Sequence, residues 1–199
     1  MPEKDDHYCD NPNVFPTNKM FKPGKGRGRR VLIVGQWPAA NGWRKSGEAF
    51  RTPDGEMIQS GKNLNKLLEP VSLSLENCAY TDIVKCYRAE GKPPTSKCKR
   101  GCWPIFEGQL GSDDFGLLIL LGPPVWEAIR KKAGTILHLG KLARVRLSGS
   151  HYTVLPIYHP VHRAEGTAWA NRQTFKELGD ELRTLLAKLE NSSGGANPN

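Results

Sequence analysis

Apolar positions along the chain fall into short β-branched blocks separated by stretches with helical spacing. Val31-Leu32-Ile33-Val34 is an apolar run stopped by Gly35, the pattern of a parallel strand buried on both faces. Residues 79–84 and 116–121 predict two more strands, and 153–158 a fourth, halted at His159-Pro160. Between them, Leu64, Leu67 and Leu68 predict a helix over 60–68. Gly122-Pro123-Pro124 opens another that runs to about Ala133, since Pro is tolerated in a first turn. Leu178, Leu182, Leu185 and Leu189 mark one face of a last helix over 167–189.

Strands alternating with helices predict an α/β fold, a three-layer αβα sandwich around a central, mostly parallel four-stranded sheet. Ligands of such sheets bind beyond the carboxyl ends of the strands. The segments 35–41, 82–86 and 159–163 should therefore converge on one site. The chain divides into a basic N-terminal segment (1–30), one folded domain (31–189) and a small polar tail (190–199) that is expected to be disordered.

Charge narrows the class of partner. Lys and Arg number 29 against 20 Asp and Glu, a net charge of +9, which favours a polyanion. No apolar run has the length of a membrane span and no signal-peptide core opens the chain, so a cytoplasmic location is expected; the protein is expected to act as a monomer without a membrane partner. Five cysteines, an odd number, in a reducing compartment argue against a disulfide framework and leave metal, cluster or plain burial.

The strand-end segments carry motifs. Val34-Gly35-Gln36-Trp37-Pro38 is followed by Gly47, Phe50 and Gly61; Tyr80-Thr81-Asp82-Ile83-Val84-Lys85-Cys86 ends the second strand. Leu118 to Gly122 ends the third, and Tyr158-His159-Pro160 with Arg163 closes the series. This ordered set, over about residues 30 to 185, resembles the uracil-DNA glycosylase superfamily, most closely its iron–sulfur, family four-like branch.

The resemblance implies a monofunctional DNA glycosylase that flips a base out of the stack and hydrolyses its N-glycosidic bond. It implies that His159 donates a hydrogen bond to a carbonyl oxygen of the leaving base and that Phe50 stacks on it. Trp37 is a further stacking candidate. The turn 36–41 would supply backbone N–H groups, Gln36 among them, with Asn41 orienting water. Lys97, Arg100, His162 and Arg163 are candidate phosphate contacts, with Arg27, Arg29 and Arg30 as a possible extension of that basic stripe. Cys86 and Cys102 match two ligands of the branch's cluster; with Cys9 and Cys98 they would make a four-thiolate set for [4Fe–4S], against free thiols or zinc.

Departures from the family pattern are as informative. No carboxylate stands in the turn 36–41: Trp37 occupies the place of the water-activating Asp, and Gln36 that of the branch's Glu. Asp82 stands where the family has Asn. An ionised Asp only accepts hydrogen bonds, so it would favour the N4 amine of a cytosine over the O4 of uracil. Ala39, in place of a bulky aromatic, would leave room at C5. The expected substrate is thus a C5-modified cytosine, in defence against viral DNA. The alternatives are uracil excision in repair, which a protonated Asp82 would permit, and a catalytically silent DNA-binding relative.

Overall fold

The computed structural model describes residues 20–38, 42–85, 94–161 and 165–193. Six strands form one sheet: β1 (Phe21–Lys22), β2 (Val31–Gly35), β3 (Ala79–Asp82), β4 (Leu117–Leu121), β5 (Ala143–Leu147) and β6 (Ser150–Ile157). Their order is β1-β3-β2-β4-β6-β5. The four interior strands run parallel and the two edge strands antiparallel to their neighbours. Among the described residues six α-helices accompany them: α1 (Trp43–Ser46), α2 (Gln59–Leu68), α3 (Ser96–Gly111), α4 (Pro123–Ala133), α5 (Glu165–Glu177) and α6 (Gly179–Ser193). Among the described residues no helix is long and apolar enough to cross a membrane.

The alternation of side chains sorts each strand's residues onto two faces. Val31 and Ile33, with Leu117, Ile119 and Leu121, pack against Leu64, Leu67 and Leu68 of α2, Phe175 of α5, and Leu182 and Leu186 of α6. Leu32 and Val34, with Leu118 and Leu120, meet Cys98, Cys102 and Phe106 of α3 and Val125 and Ile129 of α4. Every residue of β2, β3 and β4 is buried. Hydrophobic burial of one such Leu or Ile stabilises the fold by about 1.5–3 kcal/mol, so helices must cover both faces, as the three-layer reading requires.

The sheet has six strands rather than four. The expected strands are the interior ones; the two additions lack a continuous apolar run. β1 is two residues long within the polar N-terminal segment. β5 alternates, with Arg144 and Arg146 facing out and Val145 and Leu147 buried. The tight turn into β6 places both Ser148 and Gly149 at positive φ, as a two-residue hairpin requires. The long last helix is divided at Leu178 into α5 and α6, and α6 runs on to Ser193, into the expected tail. The basic run 25–30 lies at the opposite end of the strands from the predicted site. Arg27 pairs with Glu190, Arg29 with Asp113 and Arg30 with Asp114, so these arginines brace the strand entry and do not extend a phosphate stripe toward the site.

Candidate active site at the strand ends

The carboxyl ends of β2 and β3 lie side by side, with Gly35 paired to Asp82. The Ile83 N–H donates to the Gly35 carbonyl at 2.9 Å and the Val84 N–H to that of Gln36 at 3.0 Å, so the two chains stay joined beyond the sheet. Gly35 is required by close approach: a Cβ there would stand 2.1 Å from Asp82 Oδ1 and 2.3 Å from the Tyr80 hydroxyl. On the other side of β2, the Gly122 N–H at the end of β4 donates to Ile157, the last residue of β6, at 2.8 Å. Gln36, Asp82 and His159 therefore all leave the same edge of the sheet.

Asp82 is 1% exposed. Tyr80, two residues back on the same strand face, donates its hydroxyl to Oδ1 at 2.9 Å, and Oδ2 is buried without a partner. Burial pushes the Asp82 carboxyl up to about 7, against the opposing pull of the Lys85 ammonium and the Tyr80 hydroxyl. The same burial, with the nearby carboxylate, holds the Tyr80 phenol well above its ordinary range.

Lys85 is fully buried, and its three donors are all used. They reach Thr81 Oγ1 at 2.6 Å, Gln109 Oε1 at 2.5 Å and the Asp82 carbonyl. Thr81 in turn donates to the Met20 carbonyl at 2.8 Å. The lysine thus locks the end of β3 to α3 and to the segment before β1.

Phe50 stands at φ 60°, a strained conformation for a side chain without local polar compensation. Its ring meets Tyr80 edge-on at 4.9 Å between centroids. Gly61, in α2, lets it in: a Cβ there would come within 2.8 Å of Phe50 Cβ and 2.7 Å of Met57 Cγ. The Gly61 of the sequence motif is thus the space that Phe50 occupies. Trp37 is half-buried against the other cluster, the one covered by α3 and α4, whereas Phe50 belongs to the α2 side. The structure brings Phe50, Tyr80 and Asp82 together and does not add Trp37 to them.

His159 follows β6 and is half-buried; burial lowers its pKa and favours the neutral imidazole. Its mount is firm on both sides. Asn171 of α5 donates to the Tyr158 carbonyl at 2.9 Å and accepts from the Tyr158 N–H at 3.0 Å. Asn63 of α2 donates to the Pro160 carbonyl at 3.2 Å. Neither asparagine carried a sequence signal, because each is one polar residue within a helix.

Cys98 and Cys102 are buried one turn apart on the face of α3 that meets the sheet. The Lys85 N–H points at Cys102 Sγ (3.2 Å), and the Thr95 hydroxyl at Cys98 Sγ (3.2 Å). Paired thiols that accept N–H and O–H bonds, beside the residue that precedes Cys86, fit a thiolate-bound cluster. Among the described residues no group of three or more His, Cys, Asp or Glu is assembled. Cys78, on the opposite cluster, is pushed up to about 12 by burial and is an inert core thiol. Lys97 and Arg100 lie on the exposed side of the first turns of α3. Ala39, Asn41, Cys9, Cys86, His162 and Arg163 lie outside the described residues.

The family model of the uracil DNA glycosylase superfamily matches residues 22–183. The chain is 24% identical over 188 residues to a type-4 uracil-DNA glycosylase of Saccharolobus solfataricus, an alignment that covers 91% of this chain and 82% of that protein. It is 29% identical over 171 residues to a type-5 uracil-DNA glycosylase of Pyrobaculum aerophilum, with 79% and 71% covered. A type-4 uracil-DNA glycosylase of Archaeoglobus fulgidus is 25% identical over 158 residues, with 76% of each chain covered.

Proposed function

The chain belongs to the uracil DNA glycosylase superfamily, and on that premise we propose that it takes a pyrimidine out of the DNA stack and hydrolyses its N-glycosidic bond, with Asp82 reading the base. The observation that carries this reading is the unpartnered Oδ2 of Asp82, buried at the strand ends beside an Oδ1 already held by Tyr80. A buried oxygen without a partner costs about 1–3 kcal/mol, and a hydrogen-bonding base edge would remove that cost.

The base most consistent with a neutral Asp82 is uracil. Its carboxyl can accept from N3–H with one oxygen and donate to O4 with the protonated other, the two roles that the family's Asn amide fills. The three relatives above are named uracil-DNA glycosylases. A second reading rests on the carboxylate itself: once ionised, Asp82 only accepts, and it would prefer the N4 amine of a cytosine, with Ala39 leaving space for a C5 substituent.

Bond breaking sends the C1′–N1 electron pair to the base and leaves positive charge on the sugar. His159, kept neutral by burial, donates to the base carbonyl oxygen on which negative charge develops. Water adds to C1′ and loses its proton to solvent, while the departing base anion takes a proton at N1 from solvent, giving an abasic sugar and the free base; Asn41 would orient that water and the Gln36 turn would supply amide donors. Phe50 stacks on the base, and Lys97, Arg100, His162 and Arg163 contact phosphates. Lys85, with all its donors used, is no candidate for lyase chemistry. Cys98 and Cys102, with Cys86 and Cys9, would hold the [4Fe–4S] cluster, which would brace α3 against the sheet.

The test compares native protein with Asp82→Asn on duplexes carrying uracil, cytosine or C5-substituted cytosine, between pH 6 and 9. Tyr80, Lys85 and, beyond Lys85, Cys102 are the titratable groups around Asp82. Native uracil release should fall as pH rises through about 7, while the variant stays active. Release of a substituted cytosine with uracil ignored at every pH would establish the second reading. An active native enzyme whose base choice and pH dependence are both unchanged by Asp82→Asn would overturn both.

A further inference from the structure

Three large apolar side chains are exposed among the described residues: Ile136, Val161 and Trp169. Single exposed apolar residues are ordinary on a protein surface. Val161 lines a cavity at the His159 loop, and Trp169 stands on α5 between two of that cavity's lining residues, Ala168 and Arg172. Val161, 49% exposed, is two residues beyond His159; Trp169 is 61% exposed. The cavity, of about 150 Å³, is also lined by His159, Pro160 and, from α2, Lys66.

The setting is cationic. Lys66 and Arg172 are exposed, and Arg172 lies three residues, about one helical turn, beyond Trp169. The base of this surface is stiff, because the Asn171 clamp on Tyr158 ties α5 to β6. An exposed indole beside a cavity that carries two cations, in a chain of net charge +9, is a combination that suits unpaired nucleic acid: an aromatic platform for a base and positive charge for the backbone beside it.

We propose that Trp169 stacks on an unpaired DNA base outside the excision pocket, beside the His159 loop, with Lys66 and Arg172 on the adjoining phosphates. Any base has a π-face, so this contact adds affinity for opened strands without choosing which base is cut. It is independent of how Asp82 reads its substrate.

The experiment measures binding of two single strands of about 15 nucleotides, one of thymines and one of abasic sugar-phosphate throughout, so that base excision plays no part. Trp169→Ala should weaken binding of the thymine strand by about 5- to 150-fold and leave the abasic strand unaffected. Trp169→Phe should keep most of the affinity. Thymine-strand quenching of indole fluorescence should be reduced in Trp169→Phe. Lys66→Ala or Arg172→Ala should instead reduce the slope of log affinity against log salt by about 0.7 on both strands. Equal affinity of native and Trp169→Ala for the thymine strand, or an equal loss on both strands, would overturn the proposal. Unfolding midpoints of both Trp169 variants, matched to the native one, confirm that the comparison reads binding.

Discussion

The Tyr80 hydroxyl donates to Oδ1 of Asp82 at 2.9 Å, and the two side chains share one face of β3. This bond favours the ionised carboxylate and is one of the two influences that hold the Asp82 pKa down against burial. Tyr80→Phe removes it while keeping the ring that meets Phe50. Asp82 should then stay neutral to higher pH, and the alkaline fall in uracil release should move upward. Stability should drop by about 1–3 kcal/mol for the carboxyl oxygen left unpaired. A pH–rate profile unchanged in the variant would place Asp82 outside the rate-determining chemistry.

Stability should carry the same signature. The Asp82 pKa is raised from 3.8 to about 7 in the folded protein, so the native state holds this proton more tightly than the unfolded chain. That contribution is complete below about pH 4 and is lost as pH rises through 7. Lys85 is shifted the other way by burial, so its effect on stability appears above that window. Urea denaturation of native protein and Asp82→Asn at pH 4 and pH 6.5, below the range in which Lys85 titrates, isolates the effect. Native protein should lose a few kcal/mol relative to the variant between the two pH values; a constant difference would mean that Asp82 does not titrate there.

The interior of the fold was legible because its signal is repetition. β2 and β4 are uninterrupted apolar runs, and α4 carries a Pro start and a Gly end, with Gly134 at φ 64°. The edges were not: β1 has two residues, and β5 places arginines on alternate positions. α3 hides behind Pro104, several glycines and a cysteine spacing that drew attention to ligands rather than to periodicity. Around the candidate site, the motifs singled out Asp82, His159 and Phe50 as expectations, but not the groups that hold them. Tyr80 is visible only once β3 is known to put positions i and i+2 on one face. Asn63, Gln109 and Asn171 act through distant chain contacts that no local pattern encodes.

Gly61 gives a sharper test of Phe50. In an exposed helix Gly→Ala stabilises by about 1 kcal/mol. Here the added methyl meets Phe50 Cβ and Met57 Cγ at under 3 Å, and overpacking of this kind costs about 1–3 kcal/mol. Gly61→Ala should therefore destabilise the protein and displace the Phe50 ring, lowering base release more than DNA binding. An increase in unfolding midpoint would show that Phe50 yields without strain.

The cluster makes the last prediction. Cys98 and Cys102 accept hydrogen bonds from Thr95 and from the Lys85 N–H, on a helix tied to β3 by the Lys85–Gln109 contact. Cys78 sits across the sheet with its thiol pushed up to about 12. If the first two are ligands with Cys86 and Cys9, anaerobically prepared protein should be brown and carry about four irons and four sulfides. Cys98→Ala and Cys102→Ala should each deplete iron and lower the unfolding midpoint by far more than the loss of one buried thiol. Cys78→Ala should keep the iron and show only the modest cost of a small core cavity. Buried free thiols would make the three variants equivalent, with no iron in any of them. One zinc per chain, lost in the Cys98 and Cys102 variants alone, would keep the ligand pair and replace the cluster by a tetrahedral thiolate site.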